Sequence, residues 1–199
     1  VDVSGMLEEQ DALRAEADGV YRDLRLGELL AEVGTPAVVG SAALGLMVRR
    51  DLDVDVACAR LDDATVAAVA AAGARLATHP SVRLVTFRND RGPWNQEPDA
   101  YPDGLYLGVE CRSPAGHIWT VDIWCVDEPG RQPSTAHLTT LRPRLTDETR
   151  AVIVDIKKAW AHRPEYGTAV RSYDVYRAVL DDGVRGPADF AAWLARRTT

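Results

Sequence analysis

With 199 residues, a formal net charge of −7, 46% apolar and 27% charged residues, the chain has the composition of a soluble globular protein large enough for a real core. No apolar run approaches membrane-spanning length, and the opening VDVSGMLEEQ lacks the basic-then-apolar pattern of a secretory signal. The acidic balance excludes broad, sequence-independent coating of nucleic acid, though not a local basic groove.

The periodicity of Leu7, Leu13, Ala17, Val20, Tyr21, Leu24, Leu29, Leu30 and Val33 predicts one helix over residues 5–33, ended by Gly34 and Pro36. A short strand, Ala37 to Val39, meets Gly40-Ser41. Glycine there lets a backbone approach phosphates closely, and Ser41 at a helix start offers N–H groups and a hydroxyl to an anion. After a short helical segment, an acidic strand carries Asp51, Asp53 and Asp55 on one face, with Leu52, Val54, Val56 and Cys58 on the other. Two aspartates about 5 Å apart repel by roughly 3 kcal/mol at an effective dielectric near 20. A divalent cation removes that cost, and oxygen ligands of this kind suit Mg²⁺ or Mn²⁺.

An alanine-rich helix (62–77) and a strand from Ser81 to Phe87 follow. The Pro- and Gly-rich stretch 88–104, with Trp94 and Tyr101, reads as a long loop. Strands Leu105 to Cys111 and Ile118 to Val126 are joined closely enough to form an antiparallel hairpin. Asp122 is unexpected in the middle of so apolar a strand unless it has a partner. Residues 128–145 read as a linker. Helices are expected from Thr146 to about His162, from Ser172 to Asp182, and from Pro187 onward. The three cysteines, Cys58, Cys111 and Cys125, form no zinc pattern and read as free thiols in a reducing cytosol, hence a cytoplasmic protein.

Gly40-Ser41 followed about ten residues later by Asp53-Val54-Asp55 resembles the Gly-Ser…Asp-x-Asp signature of the DNA polymerase β-like nucleotidyltransferase superfamily. The resemblance implies that Gly40 and Ser41 hold NTP phosphates, that Asp53 and Asp55 bind the metals, and that Asp122 supplies the third carboxylate. Asp51 with Asp53 is an alternative register. The C-terminal helices carry a second resemblance. In oligoadenylate-synthetase-like enzymes a Lys-x-Trp helix and a later Ser-Tyr contact the triphosphate, which implies that role for Lys158, Ser172 and Tyr173. In AbiE-type toxins, including the MenT group, a helix lysine precedes an acidic helix, which points to Lys157 or Lys158 and to Asp174.

These readings imply an α+β fold: a small mixed or antiparallel sheet flanked by helices, with a sheet domain over residues 1–130 and a C-terminal helical subdomain over 145–199. The implied activity is transfer of an NMP from an NTP to an acceptor hydroxyl. An RNA or tRNA 3′ end is the first expected acceptor, in a toxin-like setting with a protein antitoxin as a candidate partner. An aminoglycoside-type antibiotic is the alternative acceptor, and a non-catalytic nucleotide- or partner-binding module is the alternative from another class.

Overall fold

The computed structural model describes residues 2–197. Among the described residues, eight α-helices and five strands are arranged as α1 (Val3–Asp23), α2 (Leu26–Ala31), β1 (Thr35–Val38), α3 (Gly40–Leu44), β2 (Asp51–Ala57), α4 (Asp63–Ala77), β3 (Val82–Asp90), β4 (Gly104–Arg112), β5 (Ile118–Val126), α5 (Pro133–Leu141), α6 (Asp147–Trp160), α7 (Ser172–Leu180) and α8 (Pro187–Arg197). The fold is α+β, with one mixed five-stranded sheet in the order β1-β2-β5-β4-β3 and helices around it. Only β2 and β5 run parallel; the other neighbours are antiparallel. Among the described residues no helix is long and apolar enough to cross a membrane.

Period-two alternation divides the sheet into two unlike faces. Leu52, Val54 and Val56 of β2, Val121 and Ile123 of β5, and Leu105, Leu107 and Val109 of β4 are buried with Val69 and Leu76 of α4 and Ala17 and Val20 of α1. Each buried Val, Leu or Ile among them contributes about 1.5–3 kcal/mol by leaving water. The other face presents the β2 aspartates, Asp122 and Trp124 of β5, and Tyr106 of β4. A second core lies among the later helices: Ile153, Ile156 and Trp160 of α6 pack with Val175 and Val179 of α7 and Phe190 of α8, joined by Met6, Leu44 and Leu46.

Two expected elements are corrected. The single helix over 5–33 is two, because Arg25 takes a left-handed conformation (φ 51°) that turns the chain while both Leu24 and Leu26 stay buried. The expected linker 128–145 contains α5, begun by Pro133, whose missing N–H costs nothing in a first helical turn.

A polar knot ties α1 to the β4–β5 hairpin. Glu16 Oε1 accepts from Ser113 Oγ (2.7 Å) and Trp119 Nε1 (2.9 Å) and contacts His117 Nδ1 (2.8 Å), while Arg50 Nε donates to Oε2 (3.2 Å). Burial pushes the carboxyl up, but these hydrogen bonds outweigh it and bring the pKa down to about 2. A depressed carboxylate pKa adds stability that is present above the unfolded value, near 4.5, and is lost as pH falls toward 2. Glu16→Gln is therefore expected to cost roughly 1–2 kcal/mol at neutral pH and to flatten the acid limb of the stability curve. Urea unfolding measured from pH 7 to pH 2 checks this; an unchanged acid limb would refute it.

Candidate active site

Backbone pairing builds the site. In the parallel β2–β5 ladder Asp53 lies directly opposite Asp122, and Asp51 opposite Thr120. One carboxylate oxygen from each of Asp51, Asp53 and Asp122 falls within 4.8 Å of the others. The Thr120 hydroxyl donates to Asp51 Oδ1 (2.9 Å), and the Tyr106 hydroxyl donates to Asp122 Oδ1 (2.5 Å). Burial, followed by the neighbouring carboxylates Asp51, Asp122 and Asp55, pushes Asp53 up to about 7. Burial and Asp122 push Asp51 upward as well. A cluster of acceptor oxygens with this much uncompensated negative charge fits a divalent cation.

Gly40 fits against this cluster. The Val39 N–H bonds to Asp53 O (2.9 Å), which brings Gly40 beside the Asp53 side chain. Gly40 has φ +61°, and a Cβ there would lie 2.0 Å from Asp53 Oδ2. Its position thus needs glycine both for conformation and for space.

A cleft of about 810 Å³ opens over these residues. Gly40, Ser41, Asp51 and Asp53 line it, together with Arg49, Lys157, Arg171, Ser172 and Tyr173. Lys157 is buried; its Nζ donates to Leu46 O (2.6 Å) and lies 3.5 Å from the Tyr176 hydroxyl. Burial brings its pKa down to about 8, against the opposing pull of Asp53 and Asp51. Ser172 Oγ is bonded to the Tyr166 hydroxyl (2.8 Å). The lining of the cleft therefore combines carboxylates with cationic and hydroxyl-bearing side chains, in a volume large enough for a polyphosphate nucleotide.

Three expected residues lie elsewhere. Lys158 does not reach the cleft: one position along α6 turns it outward, where it pairs with Glu9 of α1. Asp174 also stays out, because its carboxylate accepts from the Arg171 N–H (2.9 Å) and closes the first turn of α7. Asp55 lines the cleft but is not part of the three-carboxylate cluster. Its oxygens accept from Ser134 Oγ (2.5 Å), Thr135 Oγ1 (3.0 Å) and Gln132 Nε2 (3.4 Å), which satisfies the carboxylate and anchors the first turn of α5. The converging set is thus the Asp51/Asp53 register with Asp122.

Sequence reasoning named Lys157 only as an alternative to Lys158, and it missed Tyr106 and His137. Lys157 follows Ile153 and precedes Trp160 on the buried stripe of α6, a spacing that could have selected it over Lys158. Tyr106 was hidden because its role depends on cross-strand register. His137, on the unforeseen α5, stacks on Tyr173 with ring centroids 4.5 Å apart and planes 10° apart.

No protein-family model matches the chain, and no curated protein matches it significantly. Solved structures do. A Cid1 poly(U) polymerase mutant bound to MgATP superposes with TM-score 0.60 at 16% identity, over 92% of this chain and 58% of that one. A cytoplasmic RNA terminal U-transferase gives TM-score 0.55 at 17% identity, over 92% and 57%. Cid1 with the UTP analogue UMPNPP gives 0.55 at 15%, over 89% and 53%. The chain therefore spans somewhat over half the length of these proteins. With its parallel β2–β5 pair and flanking helices, it shares the fold of these solved structures.

Proposed function

We propose that the chain transfers a nucleoside monophosphate from an NTP to an acceptor hydroxyl with the help of Mg²⁺ or Mn²⁺, the acceptor being the 3′ end of an RNA. The observation that carries this reading is the convergence of Asp51, Asp53 and Asp122, the first two lining a cleft that Lys157 also lines. Asp51, Asp53 and Asp122 would hold the cation, which when bound acidifies the acceptor hydroxyl and offsets negative charge on the triphosphate. The names of the structural neighbours, a poly(U) polymerase and an RNA terminal U-transferase, support RNA as acceptor.

The protein's own groups account for the rest. Tyr106 holds Asp122 Oδ1, so that Oδ2 stays free to take the acceptor proton. Gly40 leaves the Asp53 carboxylate unobstructed, and Ser41 places a hydroxyl at the same edge. Lys157, Arg49 and Arg171 supply positive charge to the phosphates. Lys157 is fixed by burial and by Leu46 O, so it loses little freedom when a nucleotide arrives. Tyr173 offers a half-exposed ring at the cleft.

Labelled NTPs incubated with the protein, Mg²⁺ and either total RNA or an aminoglycoside panel test the reading. Label on RNA that disappears with EDTA is expected; label on the drugs would reassign the acceptor, and no label anywhere would sink the activity. Nucleotide titration of two variants tests the cationic lining. Lys157→Met is expected to weaken NTP binding roughly 10- to 100-fold, since a charge-assisted contact is worth about 1.5–3 kcal/mol. Lys158→Ala is expected to leave it within about twofold, as for an exposed surface ion pair. The opposite ranking would return the phosphate contact to Lys158.

A further inference from the structure

The segment between β3 and β4 encloses a second cavity of about 380 Å³ on the aspartate-bearing face of the sheet, lined among others by Arg88, Asp90, Trp94, Glu97, Tyr101 and Trp124. Tyr101 and Trp124 also line the main cleft, so the two spaces share a wall. The floor leads to the acidic cluster. The Arg88 guanidinium lies over the rings of Tyr106 (4.7 Å) and Trp124 (5.3 Å), and the Tyr106 hydroxyl bonds to Asp122. A single aromatic ring thus connects this cavity with a carboxylate of the cluster.

Trp94 is the residue the proposed reaction has not used. Its indole is 71% exposed, an unfavourable position for so large an apolar surface. Yet the turn carrying it is fastened: Asp103 accepts from the Gly92 N–H (2.8 Å) and from Asn95 Nδ2 (3.1 Å), and Asn95 Nδ2 also bonds to Tyr101 O (3.2 Å). The ring is held outward by a scaffold rather than left there by a loose loop. The charge around it is selective. Arg88, the one cation lining the cavity among the described residues, is bonded to Asp90 (2.7 Å), which leaves Glu97 unbalanced. Flat apolar walls with hydrogen-bond acceptors and no spare cation favour an uncharged, donor-bearing ring system and disfavour a phosphate.

We propose that this cavity receives the 3′-terminal nucleoside of a single-stranded RNA acceptor, its base against Trp94 and its ribose toward Asp122. The assignment rests on the nucleotide-transfer reading above and adds where the acceptor sits and why a terminus is selected. A terminal nucleoside brings its base and free hydroxyls, whereas an internal nucleotide brings a second phosphate into an acidic space.

Binding of 5′-fluorescent RNA pentanucleotides, measured by anisotropy without NTP, tests this independently of turnover. Trp94→Ala is expected to weaken binding roughly tenfold, the scale of one lost base–aromatic stack, while Trp94→Phe retains most of it. Nucleotide binding is expected to be unchanged in both variants. A 3′-phosphorylated pentamer is expected to bind wild type several-fold more weakly than its 3′-hydroxyl counterpart. Equal affinity of wild type and Trp94→Ala would overturn the proposal, as would equal binding of the two ends. Trp94-dependent binding of an aminoglycoside with no RNA binding would overturn it too. If RNA binds as expected but no nucleotide is ever transferred, the transfer reading fails while this binding site stands.

Discussion

Asp53→Asn is expected to lower nucleotide transfer on the order of 10³-fold, the scale seen when a preorganised charge at a reacting centre is removed. The same substitution is expected to make the metal-free protein more stable at pH 8. Burial and three neighbouring carboxylates hold Asp53 up to about 7, against 3.8 for an unperturbed aspartate. A carboxyl raised in the folded state adds stability that is full below the unfolded value and is lost as pH rises through the folded one. In EDTA, Asn at this position should therefore gain about 1–2 kcal/mol over wild type at pH 8, and that gain should shrink toward pH 4. Denaturant unfolding at pH 4, 6 and 8, with and without Mg²⁺, provides the check. A variant equally destabilised in all six conditions would mean that Asp53 is a structural residue and not part of a cation site.

Gly40→Ala is expected to come second, at roughly 10²-fold in transfer, by displacing a charged group it does not replace. Two costs combine. The backbone sits at φ +61°, where an L side chain costs about 1–2 kcal/mol, and the added methyl would fall 2.0 Å from Asp53 Oδ2. The Asp53 carboxylate has to rotate away, which separates it from Asp51 and Asp122. Gly45→Ala is a matched control. Its φ is +68° and its Cβ would meet Arg150 Nη1 at 2.5 Å, the far end of a long side chain that can shift. Both substitutions should cost comparable stability, and only Gly40→Ala should lower transfer by roughly 10²-fold. Equal activity loss in both would trace the effect to backbone strain and not to the carboxylate.

The acidic strand, the hairpin that carries Asp122 and the helices after residue 146 were legible in the sequence because each is a local periodic pattern. Which two of the three β2 aspartates belong with Asp122 was not. All three share a face, and only the docking of α5 onto Asp55 separates them. That helix was itself illegible: PSTAHLTTL mixes β-branched and hydroxyl residues with weak amphipathic order, and its first turn is secured by a carboxylate about 80 residues earlier in the chain. The position of Lys157 was not legible for another reason. A lysine on an apolar stripe looks like an error of pattern, and only the packed structure shows it buried in the cleft lining beside Asp51 and Asp53, with Lys158 turned out to Glu9.

Helix α1 also limits how the molecule can move. Met6 is embedded among the C-terminal helices, while Ala17 and Val20 are embedded against the sheet. Between them the buried Gln10 amide grips both the N–H and the carbonyl of Met47, at 2.7 and 2.8 Å. A stiff rod clamped at both ends and riveted at the middle resists any scissoring between the sheet and the C-terminal helices. On the proposed function, ligand exchange would then run through side-chain swings, such as release of the Arg171–Tyr101 hydrogen bond in the cleft lining, and not through separating jaws.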